Sequence, residues 1–156
     1  MFFFFKQKTA YEIVPCDWSS DMCSSDLVLP AEWNPVAVGN LQKELGSFRN
    51  WTLCGGYSVD QWAGRNTRPH GDIDVGVFRS ELRECLGAIG RGRVYLCSPT
   101  GTHTAWEGGD VHESIHDIWI TNATGKYWTL QIMVFDDDGD RVIGRASCRE
   151  RVYGTV

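Results

Sequence analysis

The chain has 156 residues, of which 42% are hydrophobic and 22% are charged, as is typical of one soluble globular domain. Its 20 acidic and 15 basic residues give a net charge of −5, and no basic stripe is present, so nucleic acid is not an expected partner. No apolar run approaches the ~20 residues that a membrane-spanning helix needs, so no membrane association is expected.

Both ends of the chain are expected to lie outside the domain. Lys6 and Lys8 follow a short run of phenylalanines, whereas the basic residues of a secretory signal precede its apolar run. The segments FKQKTAYEI and DWSSDMCSSDL resemble a translated sequencing-library adapter and its adjoining primer, and IGRASCRERV resembles the opposite adapter. We therefore predict adapter-derived, non-native segments at 1–27 and 143–156, and a domain at 28–142 that is truncated at its C-terminal end.

Three of the six cysteines, Cys54, Cys85 and Cys97, lie in the predicted domain. Their odd number and the lack of Cys-x-x-Cys spacing argue against a disulfide framework and against a zinc knuckle. A reducing, cytoplasmic environment is therefore expected.

The predicted elements indicate an α/β (α+β) fold with a mixed β-sheet flanked by helices. Helices are predicted where apolar residues recur at three- and four-residue spacing, and strands where short apolar runs are bounded by turn residues. In chain order the elements are a helix over Pro35–Phe48 capped by Asn34, a strand over Trp51–Cys54, a short helix over Ser58–Ala63, a strand over Ile73–Phe78, a helix over Arg79–Ile89, and strands over Val94–Cys97, Ile115–Thr121 and Tyr127–Phe135.

Three polar stretches are predicted to be irregular. The composition of SPTGTHTAWEGGD predicts a loop. The segment NATGK is predicted to form the turn that joins the last two strands into a hairpin. The acidic run Asp136–Asp140 is expected to form an exposed turn.

Asp72 and Asp74 stand at the mouth of a predicted strand, where residues two apart point to the same face. Two neighbouring carboxylates repel each other unless a cation neutralises them. Magnesium, which takes carboxylates together with substrate phosphates, is the natural cation for such a pair. The alternative is a solvated loop, in which Asp-x-Asp is common.

A phosphate-binding turn is the second candidate feature. Gly55 and Gly56 separate a strand from a short helix, where free N–H groups and the helix dipole favour an anion, and the Ser58 hydroxyl could add a donor. Arg68 and His70 follow in a basic loop and suit phosphate oxygens. The alternatives are a tight turn that simply needs glycine, and a loop ordered by pairing of Arg68 or His70 with Asp72.

The block GGYSVDQWAGRNTRPHGDID resembles the signature of aminoglycoside and lincosamide nucleotidyltransferases, within the polymerase-beta-like superfamily. The matching positions are Gly55, Gly56, Val59, Asp60, Gly64, Thr67, Arg68, His70, Asp72, Ile73 and Asp74. The resemblance implies an enzyme that transfers a nucleotide, AMP from ATP, to a hydroxyl of a small molecule such as an antibiotic.

The resemblance also implies roles for the candidate residues. Asp72 and Asp74 would be catalytic and would hold Mg²⁺, which stabilises charge on the reacting phosphate oxygens. The nucleotide would be bound by Gly55, Gly56, Ser58, Arg68 and His70.

The sequence departs from the family at the third carboxylate, which usually lies on a later strand. Gln131 occupies that position, and an amide cannot accept the proton. Because Leu130 and Ile132 are apolar, we expect Gln131 to face the two aspartates from a strand beside theirs. Asp117 or Asp136 could supply the missing acid.

Two alternatives to the enzyme therefore remain. One is a non-catalytic nucleotide-binding module, which Gln131 favours. The other is the nucleotidyltransferase half of a toxin–antitoxin pair, although an acidic chain argues against an RNA acceptor. The predicted truncation leaves open whether this copy folds and is active.

Overall fold

The computed structural model describes residues 29–138, together with the backbone of two short strands at 142–143 and 153–154. The predicted adapter-derived segments lie outside the described residues, apart from the backbone of Ile143 and of 153–154. Within the described part of the chain, no helix has the length and apolar character needed to cross a membrane.

A mixed sheet forms the centre of the molecule, as the order of elements predicted. Its strands are β1 (Thr52–Cys54), β2 (Asp74–Phe78), β3 (Val94–Cys97), β4 (His103–Ala105), β5 (Asp117–Thr121) and β6 (Trp128–Asp137), with β7 (Val142–Ile143) and β8 (Tyr153–Gly154) beyond the end of β6. The six main strands lie in the order β1-β2-β6-β5-β3-β4. The strands β2 and β6 are parallel, and the other neighbouring pairs are antiparallel, including the predicted hairpin of β5 and β6.

Among the described residues, three α-helices accompany the sheet: α1 (Leu41–Glu44), α2 (Gly55–Ala63) and α3 (Leu82–Ile89). Short 3-10 turns at Val38–Asn40 and Arg79–Glu81 precede α1 and α3. The second long helix therefore matches its prediction, and its apolar residues Leu82, Cys85, Leu86 and Ile89 are buried.

The first predicted helix, Pro35–Phe48, is wrong in extent. Instead of capping a helix, Asn34 donates its backbone N–H to Trp128 O at 2.8 Å, and Val36 donates to Thr129 O at 3.0 Å. The chain here runs parallel to the start of β6 and satisfies its backbone groups there, so the helix begins later.

Two predictions of irregular structure are also wrong. The predicted loop after β3 contains β4, which pairs with β3. The acidic run does not begin as a solvated turn, because Asp136 and Asp137 end β6. There Asp136 forms an ion pair with Arg79, and Asp137 accepts hydrogen bonds from Ser80.

The two faces of the sheet differ in composition. The core face carries fully buried aliphatic residues, such as Val75, Ile118 and Ile132, which pack with residues of α1 and α3. The opposite face, which we call the outer face, carries the alternate residues of each strand. Among them are Asp74 and Gln131, both half-buried. Period-two alternation thus separates the hydrophobic core from the polar residues of interest.

Candidate active site

Asp74 is the first residue of β2 and has neighbours on both sides across the sheet. It pairs with Cys54 of β1 and with Gln131 of β6. Directly paired residues of adjacent strands project to the same face, so Gln131 lies beside Asp74 on the outer face. The predicted placement of this strand and of Gln131 is therefore confirmed.

A further carboxylate approaches the same place from β5. The Nε2 group of Gln131 donates to Asp117 Oδ1 at 3.3 Å. Asp136 instead forms an ion pair with Arg79. Its position along β6, four residues after Ile132, places it on the core face of the sheet. Of the two acids considered as substitutes for the missing carboxylate, the structure thus brings Asp117, and not Asp136, towards Asp74.

The environment of Asp74 disfavours its charged form. Burial, followed by the negative charges of Asp72 and Asp117, raises the pKa of Asp74 to about 6, and the nearby His70 acts in the opposite direction. The fold therefore holds Asp74 in a site where its own ionisation is opposed. A bound cation would remove that opposition.

The glycine turn lies directly against these side chains. Gly55 has a φ of 61°, and a Cβ atom there would overlap with Asp74 Oδ2. A Cβ atom on Gly56 would overlap with the His70 ring and would lie 3.3 Å from Nη2 of Arg68. The close approach of backbone to carboxylate and imidazole therefore requires glycine at both positions.

The helix α2 begins at Gly55, three residues before its predicted start, so the two glycines form its first turn. The Ser58 hydroxyl donates to Gly55 O at 2.8 Å and uses its hydrogen within that turn. The N-terminus of α2 therefore lies next to Asp74 and His70, and Ser58 keeps only its lone pairs for a ligand. Gly64 ends the helix in the left-handed conformation.

Asp60, a residue of α2, holds the basic loop in place. Only 6% of its surface is exposed, and its carboxylate accepts hydrogen bonds from Thr67 N at 2.8 Å and from the Thr67 hydroxyl. Its other oxygen lies 2.7 Å from His70 Nε2. The Thr67 hydroxyl, helped by the Thr67 N–H and by His70, lowers the pKa of Asp60 to about 2 against the effect of burial.

The alternative in which Arg68 or His70 pairs with Asp72 does not describe this loop. His70 contacts Asp60, and its ring packs against Tyr57 with a centroid separation of 4.5 Å. The exposed Arg68 donates to Pro69 O at 3.1 Å. The pairing with Asp60 leaves His70 Nδ1 beside Gly56.

No role was predicted for Asp60 from the sequence, although Asp60, Thr67 and His70 all belong to the matched motif. A motif match identifies the residues but not the hydrogen bonds that join them. The available signal was an acidic residue within a short helix, followed seven residues later by a threonine and ten residues later by a histidine.

The residues fit a magnesium ion better than a soft metal. Among residues 29–138, no three His, Cys, Asp or Glu side chains form a ready-made metal site. Asp72 and Asp74 offer hard oxygen ligands, and magnesium commonly takes one or two carboxylates and completes its shell with water and phosphate. The raised pKa of Asp74 is the effect expected where such a charge is to be neutralised.

Two cysteine thiols lie beside the carboxylates. Their raised pKa values do not favour the thiolate form that binds soft metals and acts as a nucleophile. Burial and then the charge of Asp74 raise the pKa of Cys54 to about 11. Burial and then the charge of Asp117 raise the pKa of Cys97 to about 12. Both thiols therefore stay protonated at neutral pH, and thiolate is the reactive form.

In a comparison with known protein families, one family model matches the chain. The family model described as aminoglycoside-2''-adenylyltransferase matches residues 40–143, a range that contains α1–α3 and all six main strands. No curated protein and no solved structure matches the chain. Since the family model covers well over half of the sequence, and the glycine turn and carboxylates lie within it, the chain belongs to the aminoglycoside-2''-adenylyltransferase family.

Proposed function

We propose that this protein transfers AMP from ATP to a hydroxyl group of a small molecule of the aminoglycoside or lincosamide type, with Mg²⁺ held by Asp72 and Asp74. The proposal rests chiefly on one observation. Asp74 lies against Gly55 at the N-terminus of α2, and Gln131, its neighbour across the sheet, donates a hydrogen bond to Asp117. Family membership supports the reaction class.

The phosphates of ATP would lie against the first turn of α2. Its free N–H groups and the helix dipole favour an anion. Arg68 and His70, which lie next to Gly56, add positive or proton-donating groups for the charge that develops on pyrophosphate. Magnesium supplies charge neutralisation for the triphosphate and for the acidic side chains.

Asp117 is the proposed general base. The acceptor hydroxyl oxygen forms a bond to the α-phosphorus, the bond from that phosphorus to the bridging oxygen breaks, and pyrophosphate leaves. The hydroxyl proton passes to the Asp117 carboxylate. Gln131, which donates to Asp117 Oδ1, orients this carboxylate and replaces the charge of the usual third acid with a hydrogen bond.

The test compares Asp117→Asn with Asp136→Asn in an assay of pyrophosphate release, with Mg²⁺, ATP and a panel of aminoglycosides and lincosamides. Loss of the base should lower kcat by about 100-fold or more. Asp136→Asn removes the partner of Arg79 and should lower stability while leaving kcat near wild type. Equal kcat values for the two variants would overturn the role of Asp117.

The same assay separates the enzyme from a non-catalytic module. If Asp117 is the base, Gln131→Asp should fail to raise turnover, because it adds charge beside Asp74 without supplying a missing group. A large rise in turnover would show instead that the third carboxylate limits the chemistry. Binding of ATP with no pyrophosphate release in any variant would support the binding module.

The cellular location follows as part of the proposal. Cys54, Cys85 and Cys97 are free thiols, which fits a reducing cytoplasm where ATP is available. An RNA acceptor, as in the toxin–antitoxin alternative, would require basic contacts that the acidic composition does not favour.

A further inference from the structure

Arg79, the first residue of the 3-10 turn that follows β2, contacts the segment that precedes β5. Its Nε group donates to Asp136 Oδ1 near the end of β6. The rest of the guanidinium group donates to four acceptors in the segment 112–116, namely His112 O at 3.4 Å, Glu113 O at 3.1 Å, Ile115 O at 2.9 Å and His116 Nδ1 at 3.1 Å. One side chain thus joins the end of β2 to β6 and to the segment that leads into β5.

The contact with His116 places this arrangement directly before Asp117. Arginine carries only donors, so His116 Nδ1 accepts the hydrogen bond and the ring carries its proton on Nε2. The His116 backbone is held as well, because Val134 N donates to His116 O at 2.8 Å. Asp117 is the next residue and the first residue of β5. The hydrogen bonds of Arg79 therefore end at the residue before the proposed base.

The Asp117 carboxylate itself is held by few contacts. Among the described residues, its one hydrogen-bond donor is Gln131, at 3.3 Å. The irregular segment 106–116 joins β5 at Asp117, and residues at the end of an ordered element open more readily than residues at its centre. The direction of the carboxylate therefore depends on how firmly the preceding backbone is fixed.

Arg93 holds the opposite end of β5 in a similar way. It forms an ion pair with Glu44, and its Nε group donates to Thr121 O at 2.8 Å. Its side chain is 25% exposed, close to the 21% of Arg79. Asp117 and Thr121 are the two ends of β5, so only Arg79 acts beside Asp117. The two arginines therefore form a matched pair for comparison.

We propose that Arg79 is a positioning residue for the transfer reaction, because it fixes the segment 112–116 so that the Asp117 carboxylate faces the acceptor hydroxyl. Its hydrogen bonds run to protein atoms, so it acts through the backbone and not on the substrate. The inference rests on the proposed function, in which Asp117 takes the hydroxyl proton. Arg79 lies outside the motif block that contains the other site residues.

The ion pair with Asp136 is not the essential part of this arrangement. In Asp136→Asn, the amide oxygen can still accept from Arg79 Nε, and the hydrogen bonds from Nη2 to the segment 112–116 are retained. This is why kcat of Asp136→Asn should stay near that of the wild type.

The test compares Arg79→Ala with Arg93→Ala in the pyrophosphate-release assay, with Mg²⁺, ATP and the acceptor of the panel that the wild type modifies fastest. Each variant loses an ion pair and hydrogen bonds to backbone carbonyls, so both should lower the Tm. Arg79→Ala should lower kcat roughly 10- to 100-fold and leave the KM for ATP unchanged, since a small displacement of a reacting group is enough to slow the chemistry. Arg93→Ala should keep kcat near that of the wild type. Equal kcat values for the two variants would overturn the inference.

Chemical rescue separates positioning from a general loss of structure. Arg79→Ala leaves a space in which free guanidinium, added at millimolar concentration, can donate again to Ile115 O and to Asp136. Guanidinium should therefore restore part of kcat in Arg79→Ala and should change kcat in neither Arg93→Ala nor Asp117→Asn. An Arg79→Ala variant that guanidinium activates no more than Arg93→Ala would contradict the positioning role.

Amide hydrogen exchange measures the same segment without turnover. The Val134 N–H, which bonds to His116 O, should exchange faster in Arg79→Ala than in Arg93→Ala, and equal exchange rates would overturn the inference. If Arg79→Ala fails to fold, Arg79→Lys decides the question. An ammonium group keeps the charge beside Asp136 but lacks the fork that reaches several acceptors, so kcat should still fall. A wild-type kcat for Arg79→Lys would then overturn the inference.

Failure of the inference differs from failure of the proposed function. A large loss of kcat in Asp117→Asn together with a normal kcat in Arg79→Ala would remove Arg79 from the mechanism and leave the proposed base intact. A normal kcat in Asp117→Asn would overturn the proposed base and the inference with it. A wild-type protein that releases no pyrophosphate with any acceptor would also overturn both.

Discussion

The Asp60 carboxylate lies 2.7 Å from His70 Nε2, and this pair joins α2 to the loop that precedes the proposed catalytic carboxylates. The same carboxylate accepts two hydrogen bonds from Thr67. One buried acid thus fixes the position of His70 relative to the glycine turn. Asp60 is a positioning residue in this arrangement, because it contacts the loop and not the proposed nucleotide.

Replacement of that acid should loosen the loop and the position of His70 without removing any of the proposed ligands. We expect Asp60→Asn to lower the Tm by several degrees and to weaken ATP binding roughly tenfold, since both Thr67 bonds and the His70 contact are impaired. Thermal unfolding and calorimetry with Mg²⁺ and ATP measure the two effects.

The acid dependence of stability provides a second measure of the same variant. Asp60 has a folded pKa of about 2, below the usual value of about 3.9 for an unfolded chain. Its contribution is therefore complete above about pH 4 and is lost as the pH falls towards 2. Asp60→Asn should remove this part of the pH profile. Asp110→Asn, on an exposed ion pair, is the control and should change neither property.

The glycine turn can be tested with two alanine substitutions that share a backbone conformation. Gly55 and Gly64 have φ values of 61° and 67°, so alanine at either position costs about 1 kcal/mol of stability through its backbone. Only at Gly55 does the added Cβ overlap with Asp74, because nothing lies within 4 Å of the Cβ position at Gly64. We expect Gly55→Ala to abolish ATP binding and Gly64→Ala to retain it. Equal ATP affinities would show that the turn is not the nucleotide site.

The carboxylate cluster should cost stability when no cation is bound. Because the folded pKa of Asp74 is raised to about 6, wild-type stability should fall as the pH rises from about 4 through 6. Asp74→Asn should remove that fall and stabilise the protein by about 1 kcal/mol at pH 7, after allowance for partial solvent screening.

The same substitution should abolish Mg²⁺-dependent ATP binding, whereas Mg²⁺ should raise the Tm of the wild type only. Asp138→Asn, at an exposed position, is the control. A stability of Asp74→Asn below that of the wild type at pH 7 would contradict the burial and the repulsion that raise the pKa of Asp74.

The proposed domain boundary predicts the result of a deletion. Removal of residues 1–27, which resemble adapter translation and precede the matched residues 40–143, should leave the Tm and ATP binding unchanged or improved. A comparison of the full chain with a chain that starts at Val28 is the measurement. A large loss of folding on deletion would show that the segment belongs to the domain.

Alternation along the strands made much of the sheet predictable. The pattern Leu130, Gln131, Ile132 fixed which side of β6 is buried, and hence which residue lies beside Asp74. Predictions made from composition were wrong where backbone hydrogen bonds to another strand determine the structure. Asn34 pairs with β6 although it resembles a helix cap, and β4 lies in a polar stretch.

The site was predictable to a lesser degree, because its contacts join residues that are far apart in the sequence. The motif identified Asp72, Asp74 and the glycines through resemblance. It gave no means to choose between Asp117 and Asp136, since that choice depends on the register of β5 and on the ion pair with Arg79. The burial of Asp60 likewise depends on how the basic loop folds back onto α2.

The parallel pairing of β2 with β6 has a consequence for folding kinetics. These strands come from distant parts of the chain, so closing the intervening loop costs entropy before their contacts can form. The hairpin of β5 and β6 is local and can form early. Asp117 and Gln131 would then be in place before β2 pairs with β6 and adds Asp74. The proposed nucleotide site would then be complete only after β2 docks, so we expect a partly folded chain to lack the proposed affinity for ATP.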